Sequence, residues 1–257
     1  MLIDGLDGTA GLHIQEACGR FRWLHNDRLR FPAASLIKLP IYYEYRTRVS
    51  RGDLDPAEKI TLSKHSVVGG CGILKAEPPG SVHTLDRVAQ LMIAASDNTA
   101  ANILIDILGK DRINAAAATL GMKDTILQRK MMDFESRDAE KDNWTTPRDV
   151  FVFLDELLHP RHMSPDLGAE ILSALKCQRI KTKLPAWLPP SAVAAHKTGE
   201  LDGVEHDAGI LFNADRCCTV VALTKDLKCN DDGIAFCRRI GHLVYEAVGG
   251  TRTEMVF

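Results

Sequence analysis

The chain has 257 residues, 45% hydrophobic and 26% charged, the make-up of an ordinary folded protein with enough length for a large core. Lys and Arg total 32 against 34 Asp and Glu, a formal net charge of −2 with no block of like charge, which argues against a nucleic-acid surface or an acidic tail. No apolar run approaches the roughly 20 residues of a membrane span.

The opening segment, MLIDGLDGTAGLHIQ, has no basic stretch leading into an apolar core, so no signal peptide is read. The compartment stays open: cytoplasmic as the chain stands, or exported with a leader removed. Two strand-like runs follow at 12–17 and 21–24, with Gly19 at a turn between them. Phe31-Pro32-Ala33-Ala34-Ser35 then leads into an apolar helix through Leu39-Pro40-Ile41.

Residues 84–108 carry the strongest helical pattern, with Leu85, Val88, Leu91 and Met92, then Ala100, Ile103, Leu104 and Ile107, spaced three and four apart. The pattern breaks at Ser96-Asp97-Asn98, a polar trio suited to a helix start. Helices are also predicted at 112–120, 147–158 and 166–177. The stretch 127–147 between them is long, polar and weakly periodic, which for a loop signals a task. Strands return at 192–198, 206–213 and 217–224, and an amphipathic helix covers about 231–247.

Strands at both ends and helices between them predict an α+β fold. The ends (about 1–30 and 190–257) pair in one antiparallel sheet and the segment 31–189 forms a helical insertion, within a single unit spanning 1–257. Seven cysteines stand at 18, 71, 177, 217, 218, 229 and 237 without a C-x-x-C pair. They read as mostly buried thiols in a reducing compartment, Cys217 and Cys218 facing opposite sides of a strand. His159 and His162 flank Pro160 with no third ligand and read as loop residues, so no metal or other cofactor is expected.

Three short motifs carry chemistry together. Ser35-Leu36-Ile37-Lys38 has S-x-x-K spacing, which on a helix sets Lys38 one turn beyond Ser35 and within reach of its hydroxyl. A serine hydroxyl is a poor nucleophile without such a neighbouring base. Ser96-Asp97-Asn98 offers a hydroxyl for proton relay and an amide for substrate. Lys197-Thr198-Gly199 lies on a predicted strand whose edge, near Glu200, suits pairing with a substrate or binding of its carboxylate. A second cation beside Lys38, here Lys197, lowers the pKa of both amines and favours a neutral base.

These three motifs in this order resemble class A β-lactamases and penicillin-binding proteins. So do Arg30-Phe31-Pro32, the run from Ser96 through Thr99-Ala100-Ala101-Asn102, Thr145-Thr146-Pro147, and the stretch from Gln178 through Leu184-Pro185 and Leu188-Pro189. The resemblance covers the chain from about Gly11. It implies a five-stranded antiparallel sheet flanked by helices, with the active site between sheet and insertion. It also implies Ser35, Lys38, Ser96 and Lys197 as catalytic residues, with Asn98, Thr198, Gly199 and Glu200 binding substrate, and backbone N–H groups of Ser35 and Glu200 forming the oxyanion hole.

Departures from that family bear on function. After Leu120-Gly121 the family places an Arg and, two residues on, a Glu that positions the deacylating water; here Arg129 is followed by Met131. Asp133, Glu135 and Glu140 are the nearby candidates for that base, and Asp142 and Asn143 stand where the loop's closing acid belongs. The aromatic wall ahead of Ser96 is replaced by Val67-Val68-Gly69-Gly70-Cys71-Gly72-Ile73, where Cys71 is expected to be inert. On the strand after Gly199, His206 or Lys225 substitutes for the family's carboxylate-binding Arg, or His206 is a strand-surface residue. The expectation is a monomeric serine hydrolase acting on a small β-lactam-like amide, with slow release of the acyl group. The alternatives are an esterase or peptidase of the same fold and a catalytically silent binder of β-lactams or cell-wall fragments.

Overall fold

The computed structural model describes residues 3, 5–138 and 141–249. From the N-terminal end come β1 (Thr9–Glu16) and β2 (Arg22–His25). The middle of the chain supplies β3 (Phe31–Pro32), a 3-10 turn at Ala34–Ile37, α1 (Lys38–Ser50), β4 (Lys59–Thr61), β5 (Val82–Thr84), α2 (Leu85–Ala94) and α3 (Asn98–Leu108). It continues with α4 (Lys110–Thr119), α5 (Phe134–Asp138), β6 (Trp144–Thr145), α6 (Pro147–Leu158) and α7 (Pro165–Lys176). The chain closes on β7 (Val193–Leu201), β8 (Val204–Asn213), β9 (Arg216–Lys225) and α8 (Asn230–Gly249).

Five of these strands form one antiparallel sheet in the order β2-β1-β9-β8-β7, so the two ends of the chain meet where β1 pairs with β9. The sheet is covered on both faces, and strand alternation sorts its side chains into two cores. Leu12, Ile14, Val220 and Ala222 pack with Phe236, Ile240 and Val244 of α8. Ala208, Ile210, Val221 and Leu223 point the other way and share a core with Phe31, Val150 and Phe153 of the inserted region. β7 is an edge strand, bonded to β8 on one side and free on the other.

Helix starts follow local chemistry. Thr84, Asp97, Thr146 and Ser164 each cap a helix by accepting a hydrogen bond from a backbone N–H three residues on. Pro147 and Pro165 occupy first helical positions, where a missing N–H costs nothing. The predicted helices and sheet strands are all present. The additions are short: β3 pairs with β6, β4 with β5, and α5 has one turn and a half. Elements of two to five residues are too brief to imprint a period on the sequence.

The cysteines correct one expectation. Cys218 and Cys237 are buried and Cys217 is partly so, but Cys18, Cys71, Cys177 and Cys229 are exposed. The exposed four sit at a turn, a glycine-rich loop, a helix C-cap and a helix approach, where no sheet or helix face covers them.

Candidate active site

Ser35 lies in the 3-10 turn that feeds α1, and Lys38 is the first residue of that helix. Ala34, immediately before the nucleophile candidate, has φ +45° and Ser96 has φ +53°. Left-handed backbone at non-glycine residues costs on the order of 1–3 kcal/mol each and concentrates at functional sites.

Lys38 is fully buried, and its Nζ lies 3.0 Å from Ser35 Oγ, 2.6 Å from Ser96 O, 2.8 Å from Asn98 Oδ1 and 3.2 Å from Ser96 Oγ. An ammonium has three protons for these four oxygens, whereas a neutral amine also accepts from a hydroxyl. Burial pulls the Lys38 pKa down to about 7, against the weaker opposing effects of Cys71 and Asp97. Lys197 Nζ donates to Ser96 Oγ at 2.9 Å and Thr198 O at 2.8 Å. Its pKa is held well below the ordinary lysine value, first by burial and then by Lys38 and Lys183 nearby. The Ser96 hydroxyl thus bridges two amines, each with a weakened hold on its proton.

Asp97 is structural: besides capping α3 it accepts from Ile73 N at 2.7 Å and Leu74 N at 2.8 Å, fastening the glycine-rich loop to the helix start. Gly72, at φ +120°, packs so tightly on Asp97 that any Cβ there collides with the carboxylate. On the same loop Gly69 O accepts from Asn98 Nδ2 at 3.1 Å.

A cleft of about 410 Å³ opens over Ser35, of a size suited to a small molecule. Gly70, Cys71 and Asn98 line one side, Met131, Met132 and Asn143 another, and Glu200, Leu201 and Asp202 a third. Thr198 is buried, and Gly199 comes so near the nucleophile turn that a Cβ there would lie 3.1 Å from the Ala34 side chain. Ser35, Lys38, Ser96, Asn98 and Lys197 are therefore brought together, and Thr198, Gly199 and Glu200 run along the adjacent edge of β7.

The loop candidates are not brought there. Asp133 accepts from Ser136 N at 3.0 Å and Ser136 Oγ at 2.7 Å; these bonds hold its carboxyl below the usual range, and it does not line the cleft. Glu135 is exposed in the first turn of α5 and is likewise absent from the cleft wall; Glu140 lies outside the described residues. Asp142 is bound by Arg129 at 2.8 Å, and Asn143 Oδ1 accepts from Gln128 N and Arg129 N. Met131 does reach the cleft. Its N donates to Asn102 Oδ1 at 2.7 Å and its O accepts from Asn102 Nδ2 at 3.1 Å.

His206 corrects another expectation. It is fully buried, not on a strand surface, with Nε2 2.7 Å from Pro32 O and Nδ1 accepting from Thr224 N at 3.2 Å. Burial lowers its pKa to about 4, so it is neutral and offers nothing to a carboxylate. Lys225 sets its ammonium 5.4 Å from the Phe31 ring centroid and does not line the cleft. Sequence reasoning missed Lys183, a buried cation that donates to Gly199 O at 2.7 Å and pairs with Glu205. It also missed Asn102 as the clamp on Met131. Lys183 lies in a stretch whose only signal was family resemblance, and the helical period around Asn102 says nothing of the loop it bonds. His159 and His162 are bonded to Asp155 and Glu156 respectively. Among the described residues no helix is long and apolar enough to cross a membrane.

Comparison with known proteins agrees with this fold. The profile of the beta-lactamase enzyme family matches residues 2–248. A beta-lactamase of Bacteroides uniformis is 26% identical, the match covering 96% of this chain and 88% of that one. The crystal structure of a beta-lactamase from Sphaerobacter thermophilus superposes with a TM-score of 0.90 at 30% identity, covering 96% of this chain and 95% of its own. A mutant of PBP-A, solved as an acyl-enzyme complex with penicillin G, gives a TM-score of 0.86 at 28% identity and covers 96% and 92%.

Proposed function

Since the chain belongs to the beta-lactamase enzyme family, we propose that it is a serine hydrolase that takes an acyl group onto Ser35 from a β-lactam or similar small amide and releases it slowly. The observation that carries this is Lys38: an amine 3.0 Å from Ser35 Oγ with a pKa brought down to about 7. A base that titrates near working pH is the most effective proton acceptor.

In the acylation step Lys38 Nζ takes the Ser35 proton as Oγ adds to the substrate carbonyl. The resulting oxyanion is met by the backbone N–H groups of Ser35 and Glu200, the latter on the free edge of β7. The C–N bond then breaks, and the proton reaches the leaving nitrogen through Ser96, whose hydroxyl already touches Lys38 and Lys197. Lys197 supplies the electrostatic partner for that transfer, and Asn98 binds the substrate amide.

Deacylation needs an activated water. Met131 occupies the cleft wall where the family's glutamate is expected, and none of the described loop carboxylates lines the cleft. Slow release follows, as for a penicillin-binding protein.

Intact-mass spectrometry after adding benzylpenicillin tests the proposal. A one-to-one adduct that decays slowly and disappears in Ser35→Ala is expected; an adduct that survives Ser35→Ala, or no adduct at all, refutes it. That no carboxylate of the described loop residues lines the cleft also favours a second reading, an esterase or peptidase whose acyl-enzyme is more easily hydrolysed. Rapid turnover of p-nitrophenyl esters with negligible nitrocefin hydrolysis would select it.

A further inference from the structure

A second groove, of about 540 Å³, shares no wall residue with the cleft over Ser35. Its walls are α2 and α7 and its floor is α1. The two wall helices run side by side in the same direction: Arg46 of α1 bonds Asp86 and Glu170 near one end, and Ala94 O accepts from Arg179 N at 2.9 Å at the other. We propose that this groove is a separate binding site for a small organic carboxylate, whose head bonds Arg179 and the Tyr42 hydroxyl and whose apolar body lies on Leu91, Ala94 and Ala174.

Tyr42 points to a ligand. Its side chain is only 4% exposed, yet its hydroxyl opens into the groove and has no hydrogen-bond partner among the described residues. A phenolic O–H held among packed helices without a partner forgoes a bond that a ligand oxygen supplies. Burial raises its pKa to about 12, so at neutral pH it keeps its proton and can donate it. The neighbouring Tyr45 differs, since its hydroxyl lies 3.5 Å from Asp86 Oδ1.

The charges around the groove favour a single negative charge. Near the start of α2, Arg46 donates to Asp86 at 3.2 Å and through Nε to Glu170 at 3.1 Å, and Arg87 stands beside them, so two acids answer two guanidiniums. Asp86 also accepts from Gln90 at 2.7 Å. At the other end Arg179 is exposed and only its backbone N is bonded, to Ala94 O and Gln178 Oε1, which leaves its guanidinium without a partner among the described residues. Tyr42 faces the same end, one turn back along α1 from Arg46 and next to Cys177. Two donors, one of them a planar fork, converge there, and a carboxylate has two oxygens to meet them. A phosphate dianion exceeds the one surplus charge, and an ammonium meets the unpaired guanidinium. Leu91 and Ala94, three apart on α2, and Ala174 on α7 give the apolar surface beside this end.

Three exposed cysteines make the test site-resolved: Cys177 on the groove wall, Cys71 on the wall of the cleft, and Cys229 in neither. Their alkylation by iodoacetamide is followed by peptide mass spectrometry with 3-phenylpropionate, 3-phenylpropionamide or 3-phenylpropylamine present. At about 10 mM the carboxylate should slow Cys177 about fivefold relative to Cys229, as low-millimolar binding of so small a ligand gives, and the amide and amine should slow it little. Tyr42→Phe, which keeps the ring, should reduce the slowing to about twofold, and Arg179→Gln to below about 1.5-fold. Cys177 unslowed, or Cys71 protected in its place, overturns the proposal. Equal protection by the amide overturns the charged head, and slowing unchanged in both variants overturns the assigned donors. The same outcomes are expected in Ser35→Ala, so the result is independent of whether Ser35 takes an acyl group.

Discussion

Replacing Met131 with Glu should shorten the life of the acyl-enzyme. The Met131 side chain is 8% exposed on the cleft wall, and Asn102 pins its peptide unit at both N and O. Met and Glu have similar length and volume, so the carboxylate inherits a fixed direction into the cleft. A positioned general base contributes about 10²–10⁴-fold to the step it serves, and the lower end is expected because the neighbours have not been shaped around a charge. Deacylation of benzylpenicillin should therefore accelerate about 100-fold. The new negative charge also favours protonated Lys38, so its pKa rises from about 7 and acylation at neutral pH slows, by about tenfold for each unit of rise. Time-resolved intact-mass spectrometry reads both rates. If Met131→Gln shortens the adduct lifetime as much as Met131→Glu, or neither changes it, the missing carboxylate is not what makes release slow.

Acylation in the wild-type protein needs neutral Lys38, so its rate should climb through pH 7 and level off above; a flat profile between about pH 5.5 and 8.5 contradicts Lys38 as base. His206 and His13 are buried with pKa values lowered, chiefly by burial, to about 4 and about 3 from the ordinary 6.5. Their neutral forms are fully stabilising above pH 6.5, and that stability is lost as the unfolded state takes up protons below it. For His206 the loss is about 3 kcal/mol by pH 4, measurable as a falling urea midpoint that flattens in a neutral replacement such as His206→Gln. Lys183→Met leaves Glu205 buried and unpaired and should cost about 3–5 kcal/mol in urea unfolding, while Lys183→Met with Glu205→Gln recovers part of it.

The site was legible in the sequence to the extent that each motif begins or forms one element. Ser35-Lys38 lies at a helix entry, Ser96-Asp97-Asn98 between two helices, and Lys197-Thr198-Gly199 along one strand. Local spacing therefore placed each group, and the resemblance supplied their convergence. What depended on contacts between distant segments was not legible. His206 read as a surface position because strand alternation cannot say that Phe31 and Pro32 cover it. Asn102 and Met131 meet only once α3 and the following loop are packed. The cysteines misled because composition-level expectation ignores that Cys71 and Cys177 fall where elements end.

The pairing of Thr9 with Lys225 means that the first strand of the sheet to be synthesised waits for the last. During synthesis Leu12 and Ile14 lie on a strand whose β9 neighbour does not yet exist, and such unpaired apolar edges invite association between chains. Contacts this far apart in sequence also slow folding. The amine of Lys197 arrives on β7, in the same late stretch of chain that supplies β8 and β9. A nascent or C-terminally shortened chain thus carries Ser35 and Lys38 without the second amine of the candidate site, and under the proposed mechanism it would not react until the sheet closes.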